Sequence, residues 1–94
     1  MHPLIEAQRR ELLAIAAKYG ITDVSIFGSM ARGDADEDSD VDLLVRPQPG
    51  TSLLDLGGLL MDAQDLLGRR VNVVSEQALN PRIRDRVLRE AQRL

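Results

Sequence analysis

The chain has 94 residues, a net charge of −3, and 44% apolar against 29% charged residues. That is a globular balance in a length that holds one small domain, residues 1–94, and excludes a two-domain enzyme. It contains no cysteine and a single histidine, His2, which excludes disulfide frameworks and thiolate or histidine zinc sites.

In chain order, the opening MHPLIEAQRREL carries charges where a signal core would be apolar. No apolar run approaches the ~20 residues of a bilayer span, so the expectation is a soluble, cytoplasmic protein with no membrane contact. Pro3 suits the first turn of a helix, and Leu4, Leu12, Ile15 and Tyr19 then recur on one helical face until Gly20, which predicts a helix over 3–19. Asp23–Phe27 is rich in β-formers, with Val24 and Ile26 on one face, and ends at Gly28. Gly28–Gly33 predicts a tight turn into one helical turn, with Ser29 as its N-cap and backbone donors pointing outward. Val41, Leu43 and Val45 alternate with Asp42, Leu44 and Arg46, a second strand closed by Pro47 and Pro49-Gly50.

Ser52 to Leu67 predicts a helix whose stripe is Leu53, Leu56, Leu60, Ala63 and Leu67, weakened by Gly57-Gly58 and capped by Gly68. Arg70–Val74 is a third strand. Asn80-Pro81 then opens a last helix expected to bury Ile83, Val87, Ala91 and Leu94. The order, α, β, short helix, β, α, β, α, predicts an α/β (α+β) protein with a small mixed sheet and flanking helices, whose sites form at strand ends and the loops beside them. A domain this short buries only roughly 60–65% of its unfolded surface, which points to help from a partner.

Charge is unevenly spread. Between Asp34 and Asp42 lie six of the fifteen acids, so that segment carries −6 while the remainder, with all twelve basic residues, carries +3. Asp40 and Asp42, two apart at the start of a strand, project from the same face and can reach one cation together. Magnesium suits them, because it takes hard oxygen ligands, often one or two carboxylates, and completes its shell with water and substrate phosphates. Gly28 and Ser29, at a turn with free N–H groups, supply the complementary phosphate cradle. A carboxylate pair beside an anion-binding turn describes a nucleoside-triphosphate site, and two metals in such a site steady both oxygens of an in-line displacement. Asp34, Asp36, Glu37 and Asp38 read as a solvated loop that raises the local cation concentration. Arg32 is free either to touch phosphate or to pair with that loop.

At these residues the sequence resembles the polymerase-beta-type nucleotidyltransferases. Gly28-Ser29, ten residues, then Asp40-Val41-Asp42 is their G-S-x10-D-x-D pattern. The short length, Ala31-Arg32-Gly33 after the serine, Ser39 before the first aspartate and the closing Asn80–Arg84 segment resemble the minimal nucleotidyltransferase group. The resemblance implies a polymerase-beta-like fold, ATP as substrate and Mg2+ as cofactor. It places Asp40 and Asp42 as metal ligands and Gly28 and Ser29, with Arg32, on the nucleotide. It further implies an antitoxin of a type VII-like pair that transfers AMP to a tyrosine of a HEPN-type ribonuclease toxin.

One position departs from the pattern. The family's third carboxylate falls at Asn72, and an asparagine can offer a carbonyl ligand but neither charge nor a base. Three readings follow: a slow enzyme whose target tyrosine is deprotonated otherwise, recruitment of another acid such as Glu76, or an antitoxin that neutralises by binding alone. Only Tyr19 and Phe27 are aromatic, which removes the stacking platform that nucleic-acid binders use and sets direct nucleic-acid binding aside. Arg82, Arg86, Arg89 and Arg93 recur on one face of the last helix. They read as a solvated basic face partly paired with Asp85 and Glu90, or as a docking strip for an acidic partner or for triphosphate.

Overall fold

A computed structural model describes all 94 residues. Helix α1 spans Pro3–Lys18, β1 Val24–Phe27, α2 Ser29–Arg32, β2 Val41–Val45, α3 Leu53–Leu67, β3 Val71–Ser75, α4 Pro81–Glu90 and β4 Gln92–Arg93, with a 3-10 turn at Glu76–Ala78 before α4.

Local chemistry sets most of these boundaries. His2 is the N-cap of α1, its Nδ1 accepting from the Leu4 N–H at 3.1 Å with Pro3 in the first turn. Helix α3 opens on a capping box: the Ser52 hydroxyl accepts from the Asp55 N–H (3.1 Å) and the Asp55 carboxylate from the Ser52 N–H (2.9 Å). Gly68, at φ 64°, closes it, and Asn80 caps α4 by accepting from the Arg82 N–H at 2.9 Å. Ser29 is not the cap of α2. Gly28 holds that position, with no side-chain cap, because the chain turns sharply at its positive φ of 71°.

The four strands lie in the order β3-β2-β1-β4. β1 runs antiparallel to β2 with Phe27 opposite Asp42, while β2 and β3 are parallel with Asp42 opposite Asn72 and Val45 opposite Ser75. A parallel pair needs a crossover, which α3 provides. β2 alternates as its sequence predicts: Val41, Leu43 and Val45 enter the main core with Val24, Ile26 and Val71. On that face α1 contributes Ile5, Leu12 and Ala16, and α3 contributes Leu59, Ala63 and Leu67. Leu44 faces the other way, into a smaller cluster with Leu79 and Val87 that Phe27 and Val74 flank. Asp42 and Asn72 share this second, thinly covered face.

Two expectations are overturned. The last helix stops at Glu90, and the chain swings into β4, pairing Gln92 with Ile26 and Arg93 with Ser25. The open edge of β1 needs hydrogen-bond partners. The tail supplies them, with Leu94 N–H on the Val24 carbonyl at 2.9 Å and the Gln92 side chain on the Ala31 carbonyl at 2.9 Å. Val87 alone of α4 is buried, and Ile83 is left 39% exposed. In α3 the stripe holds from Leu56 and Leu60, which pack against the core, to Ala63 and Leu67, but Leu53, in the first turn, is 86% exposed and Leu59 is buried beside the stripe.

Candidate active site

The site is built where β1 ends and β2 begins. Gly28 leaves β1 at φ 71°, ψ −151°, a conformation that other residues resist, and a Cβ there would stand 2.5 Å from an Asp42 carboxylate oxygen. The turn therefore lies directly against Asp42. Ala31 and Arg32 donate back to the Gly28 carbonyl at 3.1 Å each, so the amides of Ser29 and Met30 at the helix start stand outside that pairing. The core holds α2 in place through Met30 and Ala31, both buried.

Asp40 is positioned by a loop that closes on itself. Asp36 Oδ1 accepts from the Asp38 N–H (2.9 Å) and the Ser39 hydroxyl (3.0 Å), and the Ser39 hydroxyl accepts from the Asp36 N–H (2.9 Å). These bonds, the Asp38 N–H first, hold the Asp36 carboxyl below its ordinary pKa. Arg69, after α3, donates to the carbonyls of Asp36 (2.7 Å) and Ser39 (3.2 Å) and ties the loop to the sheet. The Asp36-x-x-Ser39 spacing is a turn signature visible in the sequence. Arg69 had no local signal, since its partners lie about thirty residues away along the chain.

The structure brings Asp40, Asp42 and Asn72 together. The Asn72 amide donates to Asp40 Oδ2 at 3.3 Å and to Asp42 Oδ1 at 2.9 Å, one nitrogen joining both carboxylates. Nowhere do three or more Asp, Glu or His side chains converge as a metal cluster. The donor set still fits a hard divalent cation: two carboxylates converge at one point, and the Asn72 amide, rotated, adds a carbonyl oxygen. Beside Asp40 lies a polar cleft of about 240 Å3 bounded by Glu37, Asp38, Arg69 and Arg70, with no apolar lining. Two larger hollows, of about 510 and 490 Å3, lie on the outer face of α1 and around Pro47–Leu56, away from Asp40 and Asp42.

Three other groups singled out in the sequence have partners of their own. Arg32 pairs with Asp34 at 3.1 Å and with Glu90 at 2.9 Å, binding α2 to the end of α4. Glu90 is thereby taken from the arginine face of α4, and Arg82, Arg86, Arg89 and Arg93 make no ion pair, with Asp85 or with any other acid. Glu76 is not recruited to the carboxylates. It lies four residues beyond Asn72, about 13 Å along the strand direction, and is held by Arg46 at 3.1 Å and Arg84 at 3.7 Å. The Arg46 hydrogen bond, opposed by desolvation, keeps the Glu76 carboxyl below the usual glutamate range.

A mixed sheet that sets a glycine-serine turn against a carboxylate pair at the start of a strand, Asp42 on β2 and Asp40 just before it, defines a nucleotidyltransferase-type protein. The comparisons agree: the nucleotidyltransferase domain model matches residues 9–94, and the chain belongs to that family. A relative from Methanocaldococcus jannaschii, provisionally named a protein adenylyltransferase, is 41% identical over 83 residues, 88% of this chain and 89% of the relative. The protein adenylyltransferase MntA of Thermococcus cleftensis is 39% identical over 87 residues, 93% of this chain and 85% of that protein. Among solved structures, one described provisionally as a minimal nucleotidyltransferase superposes with a TM-score of 0.87 at 48% identity, over 100% of this chain and 97% of the other. A toxin–antitoxin structure with AMP-PNP superposes at a TM-score of 0.73 over 94% of this chain and 70% of the other, and its 18% identity speaks to fold alone. No helix of the chain is long and apolar enough to cross a membrane.

Proposed function

We propose that this chain is a Mg2+-dependent protein adenylyltransferase and the antitoxin of a toxin–antitoxin pair, moving AMP from ATP to a tyrosine of a HEPN-type ribonuclease toxin in the cytoplasm. The observation that carries the reading is the packing of the Gly28 turn against Asp42, with Asp40 alongside, so that triphosphate and cation would lie side by side. The relatives named as protein adenylyltransferases support the choice of a protein acceptor. So does the fold likeness to toxin–antitoxin structures.

In this reading the Gly28-Ser29 turn seats the triphosphate on backbone N–H groups, and Arg32 reaches it by leaving Asp34 and Glu90. Asp40 and Asp42 would hold Mg2+, with the Asn72 carbonyl at the third position. Mg2+, when bound, neutralises phosphate charge and polarises the α-phosphorus. The acceptor tyrosine oxygen bonds to that phosphorus in line, the bond to the β-phosphate oxygen breaks, and pyrophosphate leaves. Asn72 cannot take a proton and Glu76 is committed to Arg46, so the phenolic proton passes to water.

A second reading is favoured by one observation, the uncharged Asn72 in the third position: an antitoxin that binds nucleotide but neutralises the toxin by complex formation alone. The test is the intact mass of the toxin after incubation with this chain and Mg-ATP, beside a control without ATP. A gain of one or more AMP units, lost in the Asp40→Asn, Asp42→Asn double variant, is the expected result. An unmodified toxin that stays silenced in a stable complex would replace transfer with binding.

A further inference from the structure

We propose that Asn72 limits this site to a single divalent cation by standing between Asp40 and Asp42 where a third carboxylate would call in a second metal. The inference rests on the nucleotide-transfer reading of the same residues.

Two carboxylates held side by side repel unless something joins them. Neither Asp40 nor Asp42 has an arginine or lysine within ion-pair distance. The Asn72 amide joins them instead, its two protons divided between Asp42 at 2.9 Å and Asp40 at 3.3 Å. The parallel register delivers it there, because Asp42 and Asn72 are paired positions of β2 and β3. The amide is an uncharged stand-in for a cation that keeps the pair preformed.

Charge then sets the stoichiometry. Asp40 and Asp42 bring two negative charges, which one divalent ion balances, and a second ion would depend on triphosphate oxygens alone for added charge, since Asn72 offers it only a neutral carbonyl. Entry of the first ion also displaces the Asn72 NH2 group from the gap, so the amide must rotate to present its oxygen. Cation affinity is accordingly modest until a triphosphate adds its own oxygens. An aspartate at this position reverses each effect: with no donor to bridge the pair, the metal-free site gains repulsion and the loaded site gains a charged ligand.

The test counts Mn2+ bound to the full chain by electron paramagnetic resonance, with and without a non-hydrolysable ATP analogue, and records melting temperatures in metal-free buffer. The wild type should hold one Mn2+ per chain with the analogue, and Asn72→Asp two. Asn72→Asp should bind Mn2+ alone about 10- to 100-fold more tightly, the range typical of changes around a metal site. In metal-free buffer both Asn72→Asp and Asn72→Ala should melt below the wild type, and saturating Mn2+, which joins Asp40 and Asp42 in either variant, should narrow both deficits, Asn72→Asp the more because it adds a charged ligand. Two ions on the wild type, or equal metal-free melting of all three chains, would overturn the inference and leave the transfer reading standing. Absence of Mn2+ from every chain would overturn both. Should Asn72→Asp fail to fold, the wild-type count and the Asn72→Ala melt decide.

Discussion

Gly28 carries two constraints at once, a positive φ of 71° and an absent Cβ whose place lies 2.5 Å from an Asp42 oxygen. Gly33 carries only the first, with φ 85° and open space around it. The two glycines therefore separate backbone strain from site geometry. Gly33→Ala should lose about 1–2 kcal/mol to the left-handed conformation, and Gly28→Ala about 1–3 kcal/mol, since its ψ of −151° lies in a region that only glycine adopts readily; each kcal/mol lowers the melting temperature by about 4–8 °C in a domain of this size. Gly28→Ala should lose more still, because Asp42 must move, and its nucleotide affinity should fall at least tenfold, to about a tenth or less, while Gly33→Ala binds as the wild type does. Calorimetric melts and titration with a non-hydrolysable ATP analogue read both effects. Equal nucleotide affinity in the two variants would detach Gly28 from the site.

At the scale of elements, the outer end of the sheet is tied by Glu76, which links β3 to Arg46 after β2 and to Arg84 of α4. Its side chain is only 16% exposed. Because the folded chain holds the Glu76 carboxyl below its ordinary value, its contribution is complete above the unfolded value of about 4.3 and is lost as pH falls through the lower folded value. Glu76→Gln should thus melt below the wild type at pH 7, with the gap closing in strongly acidic buffer. A gap that stays constant or grows as pH falls from 7 into the acid range would contradict the assignment. The adjoining helices make a sharper test. The ring of Tyr19, the C-cap of α1, lies over Gly58 of α3, where a Cβ would overlap Cε1 and Cζ, and its hydroxyl donates to Asp62 at 2.7 Å. Gly57, one residue earlier, faces open space. Gly57→Ala should stabilise by about 0.5–1 kcal/mol through helix propensity. Gly58→Ala should destabilise by about 1–3 kcal/mol through overpacking against Tyr19. Opposite signs in neighbouring positions of one helix, measured by urea unfolding, are the expected outcome.

Over the whole molecule, legibility follows the range of the interaction that decides each feature. Ser52, Gly68 and Asn80-Pro81 mark helix ends because caps are read within four residues, and the alternation of Val41–Val45 is enough by itself to place Asp42 opposite the apolar face. The two-residue β4 was not legible: Gln92 and Arg93 have no apolar pattern, and what makes them a strand is the free edge of β1, some sixty-six residues earlier. For the same reason Gly58 reads as a weak point of α3 when it is the seat of Tyr19, and Arg69 carries no mark of its role. Within the site, Gly28, Asp40 and Asp42 were legible as a motif. The Asn72 bridge was not, since it depends on the register of two strands that a whole helix separates.

The molecule as a whole has little core with which to resist unfolding. Its radius of gyration, 12.3 Å, is that of an ordinary compact domain of this length, yet it is only 18 Å deep along its shortest extent and 18 of its 94 residues are buried. In so thin a protein, bound ligand has large leverage on stability, because any ligand that binds only the folded state adds RT ln(1 + [L]/Kd). At a hundredfold excess over Kd that is about 2.7 kcal/mol, which converts to a melting shift of roughly 10–20 °C. If Gly28 and Ser29 seat triphosphate while Asp40 and Asp42 hold the cation, neither ligand alone should deliver that shift. The carboxylates repel a bare triphosphate, and Mg2+ alone finds two carboxylates and an amide. The expected result is therefore a small shift with Mg2+, none or a slight fall with the ATP analogue in EDTA, and the full shift only with both. The Asp40→Asn, Asp42→Asn double variant should lose the synergy and keep its fold, since both side chains lie on the thinly covered face outside the main core. A full shift without Mg2+, or one that survives in the double variant, would place the nucleotide elsewhere on the chain.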